Sequence, residues 1–318
     1  MRVTIVKIYE EYQFELMEEY LLREVTSVFV GSDRTDERTK HIYERFKSKN
    51  IIEVDCDKDE KYHIFSAGNS YNCYVGTLYR TIKHCLGESG SVILVDITSM
   101  KNIAIMGLTQ ALMGHIKPDK IFASYVLPER YVKEGNDFSF TRSFGQVGYV
   151  RGFAKHTRPP ILIPFIGFEG RRLPKITGEA NGGENKYSEI HPIVGFPSKN
   201  PRWRLISIQS CISSITGVPK IYPCNSHSVF EAIEKIKEIH EHVVKKINED
   251  KEKKDEKKIK KEDMVLLSPL GTRPHTLAVS IYATSNNCGI IYDFPDERPN
   301  RTIGTGEVII YHLTSMIP

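Results

Sequence analysis

The sequence lacks the long apolar runs and the cysteine pairs that mark several protein classes. Its apolar runs, such as residues 91–95 and 160–166, are far shorter than the ~20 residues that a membrane-spanning helix requires. The six cysteines form no Cys-x-x-Cys pair, and none has a histidine at zinc-ligand spacing. We therefore expect no membrane association and no metal site, and we expect the cysteines to be reduced, mostly buried thiols of a cytoplasmic protein.

The sequence also has only a small excess of positive over negative charge. The 318 residues carry 44 Lys+Arg and 40 Asp+Glu, and a net charge of +4 is too small to indicate nucleic-acid binding by itself. Residues 249–263 hold seven lysines and seven acidic residues, which favours a solvated helix extension or linker over a basic tail. The N-terminus has no continuous apolar stretch, so a signal peptide is not expected.

Two familiar nucleotide-binding motifs are missing as well. The chain contains neither Gly-x-Gly-x-x-Gly nor the Walker A lysine motif. These motifs bring the backbone close to a pyrophosphate or cradle a triphosphate. The sequence therefore supports neither NAD nor P-loop ATP as a cofactor, and the cofactor stays unknown.

Short apolar runs alternate with helical patterns along the first half. Fully apolar strands separated by helices are typical of a parallel sheet that is covered on both faces. We predict a first Rossmann-like unit over residues 1–131. Its predicted strands are 25–30, 51–54, 92–95 and 120–126, and its predicted helices are 36–48, 69–86 and 102–113.

The second half repeats this alternation of strands and helices after a connecting segment at 132–158. We predict a second Rossmann-like unit over residues 159–318, with a polar loop at 177–187 and a charged linker at 249–263. The fold class is α/β, with two parallel-sheet units related by approximate internal duplication. The predicted strands are 161–166, 193–196, 220–222, 264–267 and 289–292, followed by a closing or edge strand at 307–313; the predicted helices are 201–213, 226–246 and 274–285.

Two matching segments indicate that the second half duplicates the first. Residues 92–102 and 264–274 each run from an apolar strand through a hydroxyl-containing turn to a basic residue and a helix. Each is followed by a strand and then by Tyr-x-x-Pro and Glu-Arg, at residues 125–130 and 292–298. Upstream, Gly31 and Gly167 each end the first strand of their half. The match predicts two equivalent units.

The matched turns are candidates for binding phosphate. A turn that feeds a helix N-terminus offers unpaired N–H groups and the positive end of the helix dipole. At the carboxyl ends of parallel strands such turns face ligands. Alternatively, Ser99 and Thr272 simply cap their helices. The predicted ligand-binding residues of the two turns are Thr98, Ser99, Lys101, Gly271, Thr272, Arg273 and His275.

The turn Asp96-Ile97-Thr98-Ser99-Met100-Lys101 resembles the strand-end turn of CRISPR-associated Rossmann-fold (CARF) domains. The layout of residues 268–273, followed by a helix of small residues, is similar to that of SAVED domains, which are fused pairs of CARF-like units. Ser99 and Met100 stand where many CARF domains have Gly-Gly-Thr. The resemblance implies sensing of cyclic or linear oligonucleotides in prokaryotic antiviral defence, and a protein partner in a defence complex.

Other residues suggest further chemistry. Arg171 and Arg172, beside glycines, suit bidentate contacts to phosphate, and a plain surface loop is the alternative. Arg298 lies in a basic stretch that could fold over a cleft.

Three functions stay open at this point. A nucleotide- or phosphate-recognising protein, without a membrane role, is the leading hypothesis. An enzyme that hydrolyses nucleotides or nucleic acid is the second, with a carboxylate cluster as acid, base or metal ligand; the same acids could instead be a helix N-terminal cluster. A non-catalytic scaffold subunit is the third. The candidate catalytic residues are Asp33, Asp36, Glu37 and Glu169.

Overall fold

A computed structural model describes the greater part of the chain. The described residues are 11–32, 37–87, 92–131, 133–134, 137–138, 146–155, 161–167, 172–178, 187–196, 202–211, 215, 218, 220–253, 265–295 and 302–316.

The described residues form strands and helices in alternation. The strands are β1 (Glu11–Gln13), β2 (Ser27–Val30), β3 (Asn50–Cys56), β4 (Lys61–Ser66), β5 (Asn69–Tyr74), β6 (Val92–Asp96), β7 (Lys120–Tyr131), β8 (Lys133–Glu134), β9 (Asp137–Phe138), β10 (Gly148–Tyr149), β11 (Ile161–Ile166), β12 (Glu189–Ile190), β13 (Ile193–Gly195), β14 (Tyr222–Cys224), β15 (Val265–Pro269), β16 (Gly289–Tyr292) and β17 (Thr302–His312). The helices are α1 (Phe14–Glu24), α2 (Glu37–Phe46), α3 (Val75–Leu86), α4 (Asn102–Thr109), α5 (Arg172–Thr177), α6 (Arg202–Ser210), α7 (Val229–Lys253) and α8 (Arg273–Asn286). A π-helical segment, Gln110–Ile116, continues α4, and a 3-10 turn covers Thr314–Met316.

The first sheet is mixed, with a parallel centre. Its strand order is β1-β17-β7-β6-β2-β3-β4-β5. Strands β3, β2, β6 and β7 run parallel, whereas the flanking pairs are antiparallel. All four residues of β2 are buried, as expected for a strand covered on both faces.

The second sheet is also mixed, and most of its strands run parallel. Its order is β10-β16-β15-β11-β13-β14, with β12 pairing the start of β11. The five strands from β16 to β14 are parallel, and β10 pairs antiparallel with β16. The prediction of an α/β protein with two sheet-containing units is confirmed.

One predicted helix is partly wrong. Residues 69–86 were expected to be one helix, but residues 69–74 form β5, which pairs along its length with β4. Ala67 and Gly68 both have positive φ, at 49° and 80°, and they close this hairpin tightly. The helix α3 begins only at Val75, after the hairpin ends.

The last described strand belongs to the first sheet. Residues 307–313 were expected to close the second unit. Instead, β17 lies between β1 and β7 in the first sheet and pairs antiparallel with both. The long β7 thus gains a hydrogen-bonded partner on the side away from β6.

Helices α4 and α8 pack against each other between the sheets, and α7 packs on α8. All eight residues of α4 are buried, and one apolar cluster runs through both sheets and these helices. The helices that follow the two matched turns are therefore neighbours, which brings the turns together.

A glycine in each half allows a close backbone approach. Gly31, after β2, donates its N–H to Ser99 Oγ at 2.7 Å. A Cβ on Gly31 would lie 1.9 Å from the Ser99 carbonyl oxygen, and a Cβ on Gly167 would lie 2.5 Å from that of Leu270. The two matched glycines thus occupy equivalent places, where neighbouring parallel strands diverge to their helices.

We expect Gly31→Ala to lower the free energy of unfolding by at least about 2 kcal/mol, because the added methyl would force the strand end away from the turn. Gly76→Ala in α3 is the matched control, since a Cβ there meets nothing within 4 Å. It should be neutral or raise stability by up to about 1 kcal/mol. Urea denaturation measures both, and equal effects would contradict the close approach.

A buried ion pair lies in the second half, at the carboxyl ends of the parallel strands. Arg172 Nε and Nη2 donate to the two carboxylate oxygens of Asp293 at 2.7 and 2.6 Å. In the first half, Arg38 Nη1 donates to the carbonyl of Val126, the residue that matches Asp293 in the repeat. In each half, an arginine from the helix that follows the first parallel strand therefore reaches the equivalent strand end.

Replacing Asp293 by alanine should cost about 3–5 kcal/mol of unfolding free energy, because it leaves the Arg172 guanidinium buried without its counter-ion. Lys47→Ala is the control, since its ion pair with Glu44 is exposed on both sides and should leave the urea midpoint unchanged. A loss below about 1 kcal/mol for Asp293→Ala would show that the pair contributes little.

Candidate functional site

The two matched turns meet where α4 and α8 pack against each other. We call residues 97–101 the first turn and residues 270–273 the second turn. Arg273 Nε in the second turn donates to the carbonyl oxygen of Met100 in the first turn at 2.9 Å. The N-termini of α4 and α8 therefore lie side by side.

The hydroxyl groups of the first turn are engaged within the protein. Thr98 Oγ1 accepts the N–H of Val126 at 2.8 Å. Ser99 Oγ donates to Asp96 Oδ2 at 2.8 Å and accepts the N–H of Gly31. Both side chains are buried. They hold the turn in place, and a direct role for them in ligand binding stays a prediction.

Asp96 holds the first turn in place through hydrogen bonds to its carboxyl group. Its carboxyl group is fully buried and also accepts the N–H of Thr98 at 3.1 Å. Burial raises the pKa of Asp96, while hydrogen bonds from Ser99 and Thr98 and the charge of Arg273 oppose that rise. The second turn thus acts electrostatically on the carboxyl group that shapes the first.

The two helix N-termini differ in their capping. Thr272 precedes α8, and its Oγ1 accepts the N–H of His275 at 3.4 Å while donating to the carbonyl of Ser226 at 2.7 Å. Lys101 precedes α4, and in the described part of the chain no side chain caps that helix. The capping interpretation therefore fits Thr272 but not Ser99, and the first-turn N–H groups of α4 are left without a side-chain acceptor there.

Lys101 places a positive charge beside this uncapped terminus. Its Nζ lies 2.9 Å from Asp55 Oδ1 and 3.3 Å from the carbonyl of Cys56, both at the end of β3. The Lys101 side chain is 59% exposed. A half-exposed pair of this kind is weak, so the lysine can exchange its partner for another anion.

Two buried side chains in the first turns of α4 and α8 carry polar atoms that have no hydrogen-bond partner among the described residues. Asn102 is 2% exposed, and neither its Oδ1 nor its Nδ2 is hydrogen-bonded. His275 is 1% exposed, and its Nδ1 has no partner. A buried polar group left unpaired costs about 1–3 kcal/mol. Both N-termini therefore hold polar groups that the described residues do not satisfy.

His275 is held as a neutral imidazole. Its Nε2 lies 3.0 Å from the Asn225 carbonyl, which only accepts, so Nε2 carries the proton. Burial lowers the pKa of His275 to about 4; the bond to Asn225 opposes this shift, and the charge of the nearby His227 adds to it.

Of the remaining candidates, Arg172 contacts the second turn, where its Nη1 donates to the Leu270 carbonyl at 3.3 Å. Arg172 is committed to the ion pair with Asp293, and Glu37 is exposed in the first turn of α2. Asp33, Asp36, Glu169, Arg171 and Arg298 fall outside the described residues. Within the described ranges, no group of three or more His, Cys, Asp or Glu side chains is placed to hold a metal ion.

Sequence reasoning missed Asn102 as a site residue. It aligns with Pro274 in the repeat, so the match between the halves gave no reason to select it. The available signal was its polarity at the head of an otherwise apolar helix, since the residues after it are almost all apolar and buried.

Comparisons of the chain with known proteins gave no match. No protein-family model matches the chain, and the comparisons with curated proteins and with solved structures found no match. The described helices include none that is long and apolar enough to cross a membrane.

The burial of His275 predicts a pH effect on stability. Because its folded pKa of about 4 lies below the ordinary value near 6.5, the unfolded chain takes up a proton that the folded chain does not. The contribution of neutral His275 to the free energy of unfolding is complete above pH ~6.5. It decreases by about 3 kcal/mol in total as the pH falls toward 4. Urea titrations from pH 7 to 4 should show a flatter profile for His275→Gln than for the wild type. Parallel profiles would contradict the assignment.

Proposed function

We propose that this protein recognises a phosphate-bearing ligand, a nucleotide or an oligonucleotide, at the adjoining N-termini of α4 and α8. The observation that carries this proposal is the buried side-chain amide of Asn102, unpartnered in the first turn of an uncapped helix. Polar groups that remain unsatisfied in a folded protein call for an explanation, and a bound ligand supplies one.

The electrostatics of the region favour an anion. Two helix N-termini add their partial positive charges there, and backbone N–H groups at such termini bind phosphate readily. Lys101 and Arg273 add two full positive charges at the same place. The turns also follow the carboxyl ends of parallel strands, where open α/β sheets bind ligands.

The resemblance of the first turn to CARF domains, and of the second to SAVED domains, extends the proposal. A sensor or subunit of a prokaryotic antiviral defence system fits a ligand site where α4 and α8 bring the two halves together. A ligand that contacts both turns bridges the two halves of the protein. Its binding would therefore bias how the halves pack, as a sensor requires.

Loss of either basic side chain should weaken binding of the ligand. We expect Lys101→Ala and Arg273→Ala each to reduce affinity about 10- to 100-fold, because each removes a charge-assisted contact to phosphate. Isothermal titration calorimetry with nucleotides, short oligonucleotides and cyclic oligonucleotides measures the effect. Lys83→Ala is the control, since it removes an exposed positive charge from the last turn of α3, which leads to the start of β6, whereas the first turn follows the end of that strand.

Two results would overturn the proposal. One is the absence of any thermal shift of the wild-type protein by every nucleotide and oligonucleotide in the series. The other is full retention of binding by both Lys101→Ala and Arg273→Ala, as a scaffold whose turns are only helix caps would show.

A further inference from the structure

Strand β5 lies at one edge of the first sheet with backbone groups free to pair with another strand. It pairs along all six residues with β4, and in the described part of the chain its other edge pairs with no strand. We propose that this edge joins two copies of the protein, with β5 of one copy pairing antiparallel with β5 of the other. This pairing does not depend on the phosphate site.

Strand β5 lacks the features that keep edge strands from pairing with other chains, which are short length, charge, proline and bulges. The other described edges of the two large sheets have such features. Strands β1, β10 and β14 have two or three residues each, β1 includes Glu11, and β14 includes Pro223. The six residues of β5 include no charge and no proline, and their register with β4 is continuous. It is therefore the least protected of these four edges.

The turn of the hairpin decides which backbone groups of β5 face away from the sheet. It has two residues, both with positive φ, and such a turn closes with a hydrogen-bonded pair, here Ser66 and Asn69. Hydrogen-bonded and non-hydrogen-bonded pairs alternate along an antiparallel ladder. Every second residue of β5, starting from Asn69, therefore bonds to β4. The residues between them direct their backbone groups outward, and they are Ser70, Asn72 and Tyr74.

One register uses all three outward-facing residues. In this register Asn72 lies opposite Asn72 of the second copy, and Ser70 lies opposite Tyr74 of the second copy. The Tyr74 carbonyl already accepts the hydroxyl of Thr77 at 3.2 Å. The two Asn72 residues exchange two backbone hydrogen bonds, and each Tyr74 N–H donates to the Ser70 carbonyl of the other copy. A shift by two residues would place Ser70 or Tyr74 beyond the end of the opposing strand, so the edge is self-complementary around Asn72.

Two exposed aromatic side chains fit the same register. Phe65 is 48% exposed and Tyr74 is 54% exposed, and alternation along the strands places both on the sheet face that α3 does not cover. Phe65 lies opposite Ser70 within the hairpin, and Ser70 would lie opposite Tyr74 of the second copy. Because neighbouring strands are about 4.8 Å apart and the serine side chain is small, the two rings can meet above Ser70. The pairing therefore removes apolar surface from water at both ends of the interface.

The test measures the mass of the full chain by sedimentation velocity over a range of concentrations. An interface made by one strand from each copy is small, so we expect association at about 10–100 μM protein rather than at nanomolar concentrations. The expected species is a dimer of the 36.4 kDa chain.

Charged variants at the centre of the pairing test the register. Asn72 is exposed and its backbone N–H faces outward, so Asn72→Lys and Asn72→Asp leave the β4–β5 ladder intact. Each variant alone should associate at least about tenfold more weakly than the wild type, because like charges would lie directly opposite each other. An equimolar mixture should associate within about threefold of the wild type, since lysine then faces aspartate.

The matched controls are Gln209→Lys and Gln209→Asp, which place the same charges on an exposed position of α6 in the second half. Both should dimerise like the wild type. Thermal unfolding checks that all four variants are folded.

Three results would overturn the proposed dimer. One is a wild-type protein that stays monomeric throughout the concentration range, which would leave the edge of β5 to a strand of another protein or to none. Another is a dimer that both folded Asn72 variants form as well as the wild type, because the dimer would then use a different surface. The third is a mixture of the two Asn72 variants that associates no better than either alone.

Discussion

The packing of α4 against α8 is the contact on which the rest of the structure depends. Each helix follows a turn at the end of a parallel strand, and their contact places those turns side by side. The hydrogen bond from Arg273 to the Met100 carbonyl fixes their relative position. Without this packing the two sheets would carry two separate strand-end turns, each with a weak attraction for anions.

This arrangement has an electrostatic cost. Two helix N-termini point toward one region, and two basic side chains lie beside them, so like charges are brought together. The protein offsets part of this cost with carboxyl groups. Asp96 lies beneath the first turn, and Asp55 holds Lys101 at the end of β3. The remaining imbalance is what an anionic ligand would neutralise.

Strand and helix periodicity predicted most of the parallel framework from the sequence. The strands Ile161–Ile166 and Gly289–Tyr292 were predicted to the residue, because both are short, fully apolar runs bounded by turn residues. The hairpin of β4 and β5 was missed because its turn is Ala67-Gly68, a weak signal beside the helical pattern that follows. The pairing of β17 with β7 joins residues some 180 positions apart, which local patterns do not encode.

The candidate site was predictable in outline but not in its contacts. The repeat pointed to both turns, to Lys101 and to Arg273, since basic residues at matched places are visible in the sequence. The hydroxyls of Thr98 and Ser99 are engaged with Val126, Asp96 and Gly31, partners that only the folded chain brings near. The unsatisfied groups of Asn102 and His275 depend on burial, which has no local signature.

The position of β17 has a consequence for how the protein is made. The strands of the second sheet all lie between β7 and β17 in the chain, yet these two strands pair along eight registered positions. During synthesis from the N-terminus, β7 would emerge with one edge unpaired and would stay so until residues 302–312 had also left the ribosome. Until then the nascent chain carries an open template for pairing with other strands, and the first sheet is completed only after the strands of the second sheet have been made.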